Sequence, residues 1–253
     1  MIPRHERIPR KIYSAALNQL KYFHVPSPAR ILDIGSGNGS LIKKISTTID
    51  CETYACDCTS NLMKLEDQVV DIVDLNSDLL PYADDFFDVV LCTEVIEHLE
   101  NFRSLVREIY RVLKNHGVVI LTTPNILNLK SRIQFLFSGF WNLFAPLPCH
   151  NRTRHSLSGH IAPISYFYIS HAMVEAGFCN LRLDIDKLNK SSLCLLPVLY
   201  LPIKFFSKSI FRKVKRRYKT IDSTNSDLVQ QTNNLKALLG RTIIVAGCKK
   251  TPA

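Results

Sequence analysis

Apolar residues fall along this chain in short runs, each followed by a turn and then by a stretch whose apolar positions recur at helical spacing. Ile31, Leu32 and Ile34 make the first run, continuous enough for a strand covered on both faces. Similar runs predict strands over 52–57, 69–75, 85–92, 117–123, 181–185 and 242–248. Helix is expected from Ser40 onward, over Phe102 to Leu113, where Phe102, Leu105, Val106, Ile109 and Leu113 share one face, and from about Ile164 to Ala176. Strand and helix alternating with crossovers of this length imply a parallel, doubly wound sheet, whose ligands sit beyond the carboxyl ends of the strands.

The first strand runs into Gly35-Ser36-Gly37-Asn38-Gly39. Glycines there allow positive φ and close backbone approach to a ligand, and the amides opening the next helix face the same spot. A dinucleotide fingerprint would need its third Gly or Ala where Ser40 stands, which disfavours NAD. Asp57 ends the second strand 20 residues after Gly37, where a carboxylate can accept both hydroxyls of a ribose. Asp74 ends the third predicted strand, with a helix N-cap as its plainer reading.

The ordered set Leu-Asp-Ile-Gly-Ser-Gly-Asn-Gly (32–39), Asp57, Asp74 followed by Leu80-Pro81-Tyr82, Phe87-Asp88-Val89-Val90, Glu94 to His98 and Thr122-Thr123-Pro124-Asn125 resembles a class I S-adenosylmethionine-dependent methyltransferase. The resemblance implies an α/β, Rossmann-like, mostly parallel seven-stranded sheet with an antiparallel last strand. It also implies site residues. Asp33, Gly35, Ser36, Gly37, Asn38 and Gly39 would hold the amino-acid part of S-adenosylmethionine, Asp57 the ribose, Asp74 and Leu75 the adenine, while Cys92 and Glu94 would line the floor beneath the sulfonium.

Glu94, Glu97 and His98 follow the fourth strand and, on the first turn of a helix, would share a face. His160 lies in a later loop and could join them as a fourth ligand for a divalent cation. The set resembles metal-dependent RNA ribose 2′-O-methyltransferases, but ubiquinone-pathway and surface-polysaccharide O-methyltransferases also carry a Glu-His pair here, so the pair alone does not choose a substrate. Its plainer reading is a loop-orienting or helix-capping role. A hydroxyl acceptor needs its proton removed, a task suited to His98 or His160 beside Glu97. Cys92-Thr93-Glu94-Val95 stands where N-methyltransferases of adenine and glutamine carry an Asn/Asp-Pro-Pro-aromatic motif, which favours oxygen as the acceptor.

Composition adds a compartment. The 253 residues are 46% apolar and 21% charged, ordinary for a soluble protein. Met1 to Arg10 holds no long apolar core, and the eight cysteines form no disulfide or Cys-x-x-Cys framework. A cytoplasmic protein with reduced thiols is expected.

Two additions depart from the minimal fold, dividing the chain into a methyltransferase domain over 1–187 and 241–250, with a lid over 125–163, and a basic insertion over 188–240. No acidic residue occurs from Ile109 to Val174, and the lid is rich in large apolar side chains. It is either a packed cover or a surface for an anionic or amphiphilic acceptor. In the insertion, the uncharged run Leu193 to Ile203 precedes Lys204 to Lys219, which carries eight cations and no acid. The run is shorter than the roughly 20 residues a bilayer crossing needs. An apolar anchor beside a cationic helix suits association with an anionic membrane at its inner face; nucleic acid and mere solubility are the rival readings. Thr220 to Asn234 is expected to be a polar, mobile loop. The reading reached is an O-methyltransferase for a small or lipid-linked hydroxylated acceptor, with an RNA ribose enzyme or a non-catalytic S-adenosylmethionine-binding module as alternatives.

Overall fold

The computed structural model describes residues 10–147 and 159–250. Seven strands form one sheet: β1 (Ala29–Ile34), β2 (Cys51–Asp57), β3 (Asp71–Ile72), β4 (Phe87–Thr93), β5 (Leu113–Pro124), β6 (Phe178–Ile185) and β7 (Thr242–Lys249), in the order β3-β2-β1-β4-β5-β7-β6. Neighbours from β3 to β5 are parallel, and β7 runs antiparallel to both β5 and β6. The expected fold class is therefore met. The order reverses between β1 and β4, which places the ligand crevice beyond their carboxyl ends.

Side chains alternate across a strand, so each central strand feeds two cores. Leu32, Ile34, Val90 and Cys92 face α3 (Phe102–Val112) and α5 (Tyr166–Ala176), whereas Ile31, Val89 and Leu91 face α1 (Arg10–Leu17) and α2 (Ser40–Ser46). Each fully enclosed Leu or Ile contributes about 1.5–3 kcal/mol. β4 is buried along its whole length and pairs with β1, from which the 35–39 turn leaves.

The structure changes several expected elements. β3 is two residues long rather than spanning 69–75. It is an edge strand with one partner, and Asp74 already turns the chain: its carboxylate accepts the Asn76 amide while its own amide donates to Asp78. No helix follows Asp74, so it is no N-cap. β5 begins at Leu113, directly after α3, rather than at Gly117. Residues Glu94 to His98 form no α-helix: Glu94 has φ +56° and a single 3-10 turn covers Ile96–His98.

The insertion differs most. The apolar run and the basic stretch form one 29-residue helix, α6 (Lys190–Tyr218), continuous through Pro197 and Pro202. Its apolar part therefore does not end at Ile203, and α6 is the one helix among the described residues long and apolar enough to cross a membrane by length and composition. Leu195, Leu196 and Leu199 pack on Leu129 of α4 (Leu129–Ser138) and on Leu238 and Leu239 of α8 (Leu235–Leu239). The stretch 220–234 is not a free loop either. It contains α7 (Ser226–Gln231), whose Leu228 enters the main core, and Gln231 accepts the Tyr166 hydroxyl at 2.9 Å. All seven described cysteines are free thiols. Residues 148–158 of the expected lid lie outside the described residues.

Candidate active site

The turn after β1 is built by backbone hydrogen bonds. The amides of Gly35 and Ser36 donate to the Cys56 carbonyl at 2.8 and 3.2 Å, and the Gly37 amide donates to Asp57 Oδ2 at 2.8 Å. Asp57 therefore shapes the turn itself. Asn38 accepts the Ser40 amide at 3.1 Å, helping to open α2.

The three glycines play different parts. All have positive φ, but a Cβ at Gly35 would collide with Val95 Cγ2 and one at Gly39 would meet Met63 Sδ at 2.6 Å, whereas nothing lies within 4 Å of one at Gly37. Gly35 and Gly39 serve protein packing; Gly37 borders open space.

Two polar side-chain atoms in this segment of the chain have no protein partner. Asp33 Oδ1 and Ser36 Oγ are buried and unbonded. Burial, reinforced by the Asp57 carboxylate, pushes the Asp33 pKa well up. A buried carboxyl oxygen with no donor suits a cationic ligand group. The orphaned Asp33 and Ser36 atoms and the open cradle at Gly37 thus fit the amino-acid part of S-adenosylmethionine, with Asp57 toward the ribose. Asp74 and Leu75 are half-buried. Cys92 is fully enclosed in the core beside Leu32 and Ile34, so its side chain forms no exposed floor.

Glu94 sits at the end of β4 in a left-handed conformation that a non-glycine residue adopts only at a cost of order 1–3 kcal/mol. Its amide donates to Thr122 Oγ1 at 3.1 Å, and that hydroxyl donates to Glu94 Oε1 at 3.0 Å. Glu97 is wholly buried: Oε2 accepts from Thr123 Oγ1 at 3.0 Å, and Oε1 has no partner. Burial, followed by repulsion from Glu94, raises the Glu97 pKa; burial also raises that of Glu94.

His98 Nδ1 lies 2.9 Å from the Gly159 carbonyl and His160 Nδ1 lies 2.8 Å from the Leu143 carbonyl. The amides of Ile161 and Ala162 donate to the Glu97 carbonyl, tying the two segments together. The rings of His98 and His160 meet edge to face with centroids 5.0 Å apart. One ligand atom each from Glu97, His98 and His160 lies within 4.8 Å of the others. Glu94 stands outside this group, so three of the four expected metal ligands converge. Burial lowers the His98 pKa.

Residues with no motif complete the site. Burial, then the carboxylates of Asp33 and Glu94, pushes the Tyr13 phenol of α1 above its ordinary pKa. Arg241 and Asp186, 3.8 Å apart, both act electrostatically on Glu94, and each keeps a buried polar atom unbonded. They stand just before β7 and just after β6, at the same end of the strands as Glu94. No local spacing could have announced contacts between parts of the chain so far apart.

Residues 32–121 match the family profile described as a methyltransferase domain. An uncharacterized protein of Methanocaldococcus jannaschii is 35% identical over 106 residues, covering 42% of this chain and 45% of that protein. A ubiquinone biosynthesis O-methyltransferase of Rickettsia typhi is 31% identical over 110 residues, 39% of this chain and 42% of the relative. The matches thus span less than half the length of these curated relatives. A solved SAM-dependent methyltransferase from Archaeoglobus fulgidus aligns with TM-score 0.58 at 16% identity, covering 95% of this chain and 94% of that one, which is a likeness of fold.

Proposed function

From the premise that this chain belongs to the class I S-adenosylmethionine-dependent methyltransferases, we propose that it methylates a hydroxyl oxygen of a small or lipid-linked acceptor such as a sugar, a polysaccharide precursor or a quinone-like ring. The observation that carries the reading is the contact between His98 Nδ1 and the Gly159 carbonyl. A carbonyl only accepts, so the contact with Gly159 fixes the proton on Nδ1 and leaves a lone pair on Nε2. With its pKa lowered by burial, the ring is neutral at pH 7 and able to take a hydroxyl proton.

S-adenosylmethionine, when bound, supplies a methyl group already activated on a sulfonium. What remains for the protein is alignment and one proton. Asp33 and the 35–39 turn hold the donor, and His98 removes the proton as the acceptor oxygen becomes an ether. The Gly159 carbonyl, 2.9 Å from Nδ1, orients the His98 ring.

The test is transfer of labelled methyl from S-adenosylmethionine to fractionated acceptors. Label in a product stable to mild base, as an ether is, supports the reading. Label confined to amines overturns oxygen as the acceptor, and cofactor binding without transfer to any fraction favours a non-catalytic binding module.

A second reading rests on Glu97 Oε1. A buried carboxyl oxygen without a donor, next to two imidazoles with ligand atoms within 4.8 Å, is also a three-residue site for a divalent cation. Under that reading the ion activates the hydroxyl, as in the RNA ribose methyltransferases the motif resembles.

A further inference from the structure

The outer side of α6 carries Val198, Leu201 and Phe205 at i, i+3 and i+7, each 71–72% exposed. They lie opposite the face through which Leu195, Leu196 and Leu199 pack on α4 and α8. Further along the same outer side come Lys208, Arg212 and Lys215, continuing the row at i+3 and i+4 steps. α4 adds Leu136 at 72% and Phe137 at 83% exposure. Between α4 and α6 runs a groove of about 480 Å³, floored by Leu129 and Leu199 and walled by Trp141 stacked 4.0 Å from Phe135.

We propose that α6 and α4 form a docking surface for the face of an anionic lipid bilayer, with α6 lying in the plane of the interface. Exposed Leu, Val and Phe side chains gain by leaving water, and a bilayer offers an unstructured apolar phase that needs no shape match. The cations beside them, with no acid anywhere in α6, complement anionic headgroups. Phosphate binding by a nucleic acid accounts for the cations but leaves the exposed apolar row without a role. A spanning orientation would strip the α4 and α8 contacts from the inner face of α6. The surface also reaches the candidate active site: the segment after α4 carries Trp141 into the groove, and two residues later the Leu143 carbonyl meets His160.

The experiment is sedimentation of the full chain with vesicles of phosphatidylcholine containing anionic phosphatidylglycerol, at low and high salt, against pure phosphatidylcholine. Sedimentation with the anionic vesicles at low salt, reduced but not abolished at high salt, is expected. Lys208→Glu with Arg212→Glu should lower the partition coefficient by about tenfold or more at low salt. Leu201→Glu with Phe205→Glu should remove the salt-resistant part. Both pairs are on the outer side, so circular dichroism and S-adenosylhomocysteine binding should match the parent protein. Intact protein left in the supernatant at low salt overturns the proposal, as does binding to single-stranded RNA in preference to vesicles. None of these readouts depends on methyl transfer.

Discussion

His98 and Gly159 are 61 residues apart in sequence, yet the imidazole Nδ1 sits 2.9 Å from the glycine carbonyl. That contact decides which ring nitrogen can act as a base, and the loop carrying His160 thereby sets the chemistry of the turn after β4.

Replacing His98 with Gln should lower kcat/KM for a hydroxylated acceptor by about 10²–10⁴-fold while cofactor affinity stays within a factor of about three. The pH dependence has a definite sign. Burial holds the His98 pKa below its ordinary 6.5, so the neutral, base-competent form persists into mildly acidic solution. The acid limb of kcat/KM should fall below pH 6.5 and vanish in His98→Gln. An acid limb unchanged by the substitution would assign the proton transfer to another group.

Gly37→Val tests the cradle. The space at that position is open, so no protein atom is displaced, and the cost to the fold is the strain of a β-branched residue at φ +49°, of order 1–3 kcal/mol. Calorimetry with S-adenosylhomocysteine should show loss of binding while circular dichroism stays native. Asp57→Ala removes both the partner of the Gly37 amide and the expected ribose acceptor, and should weaken the same binding by roughly 2–4 kcal/mol. Retained affinity in Asp57→Ala would detach Asp57 from the ribose.

The sequence showed what is set locally. Strands such as Ile31 to Ile34 are legible because burial on both faces writes a continuous apolar run, and the 35–39 turn because its backbone geometry demands glycine. Glu94 was misplaced because its positive φ obeys the site rather than any residue preference. β3 fell short because an edge strand has one neighbour to hold it. α6 continued past Pro197 and Pro202, each normally costing a helix about 3 kcal/mol, because Leu195, Leu196 and Leu199 anchor it to α4 and α8. Tyr13, Asp186 and Arg241 join the site only through tertiary folding, which no motif spacing records.

The metal reading is decided without knowledge of the acceptor. If Glu97, His98 and His160 hold a divalent ion, protein purified without chelator should contain it by elemental analysis, and Glu97→Gln should release it. Added metal should then raise the melting temperature of the parent protein but not of the variant. Identical melting of both in metal and in chelator would leave His98 as a base acting without an ion.

Asp33 is expected to make cofactor binding depend on pH. Burial and the Asp57 carboxylate raise its pKa, so the native protein binds a proton there that the unfolded chain, with an ordinary carboxyl, has already lost. Between those two values the native state holds more protons, and stability must fall as pH rises through the window. Asp33→Asn should flatten that fall in urea unfolding followed at several pH values. Pairing with the ammonium of the cofactor's amino-acid part would favour the ionised carboxylate, so binding should release a proton and tighten as pH rises. Calorimetry with S-adenosylhomocysteine in two buffers of different ionisation enthalpy reads the release directly, and Asp33→Asn should abolish it. Equal heats in the two buffers for the parent protein would show that Asp33 does not exchange its proton for the ligand.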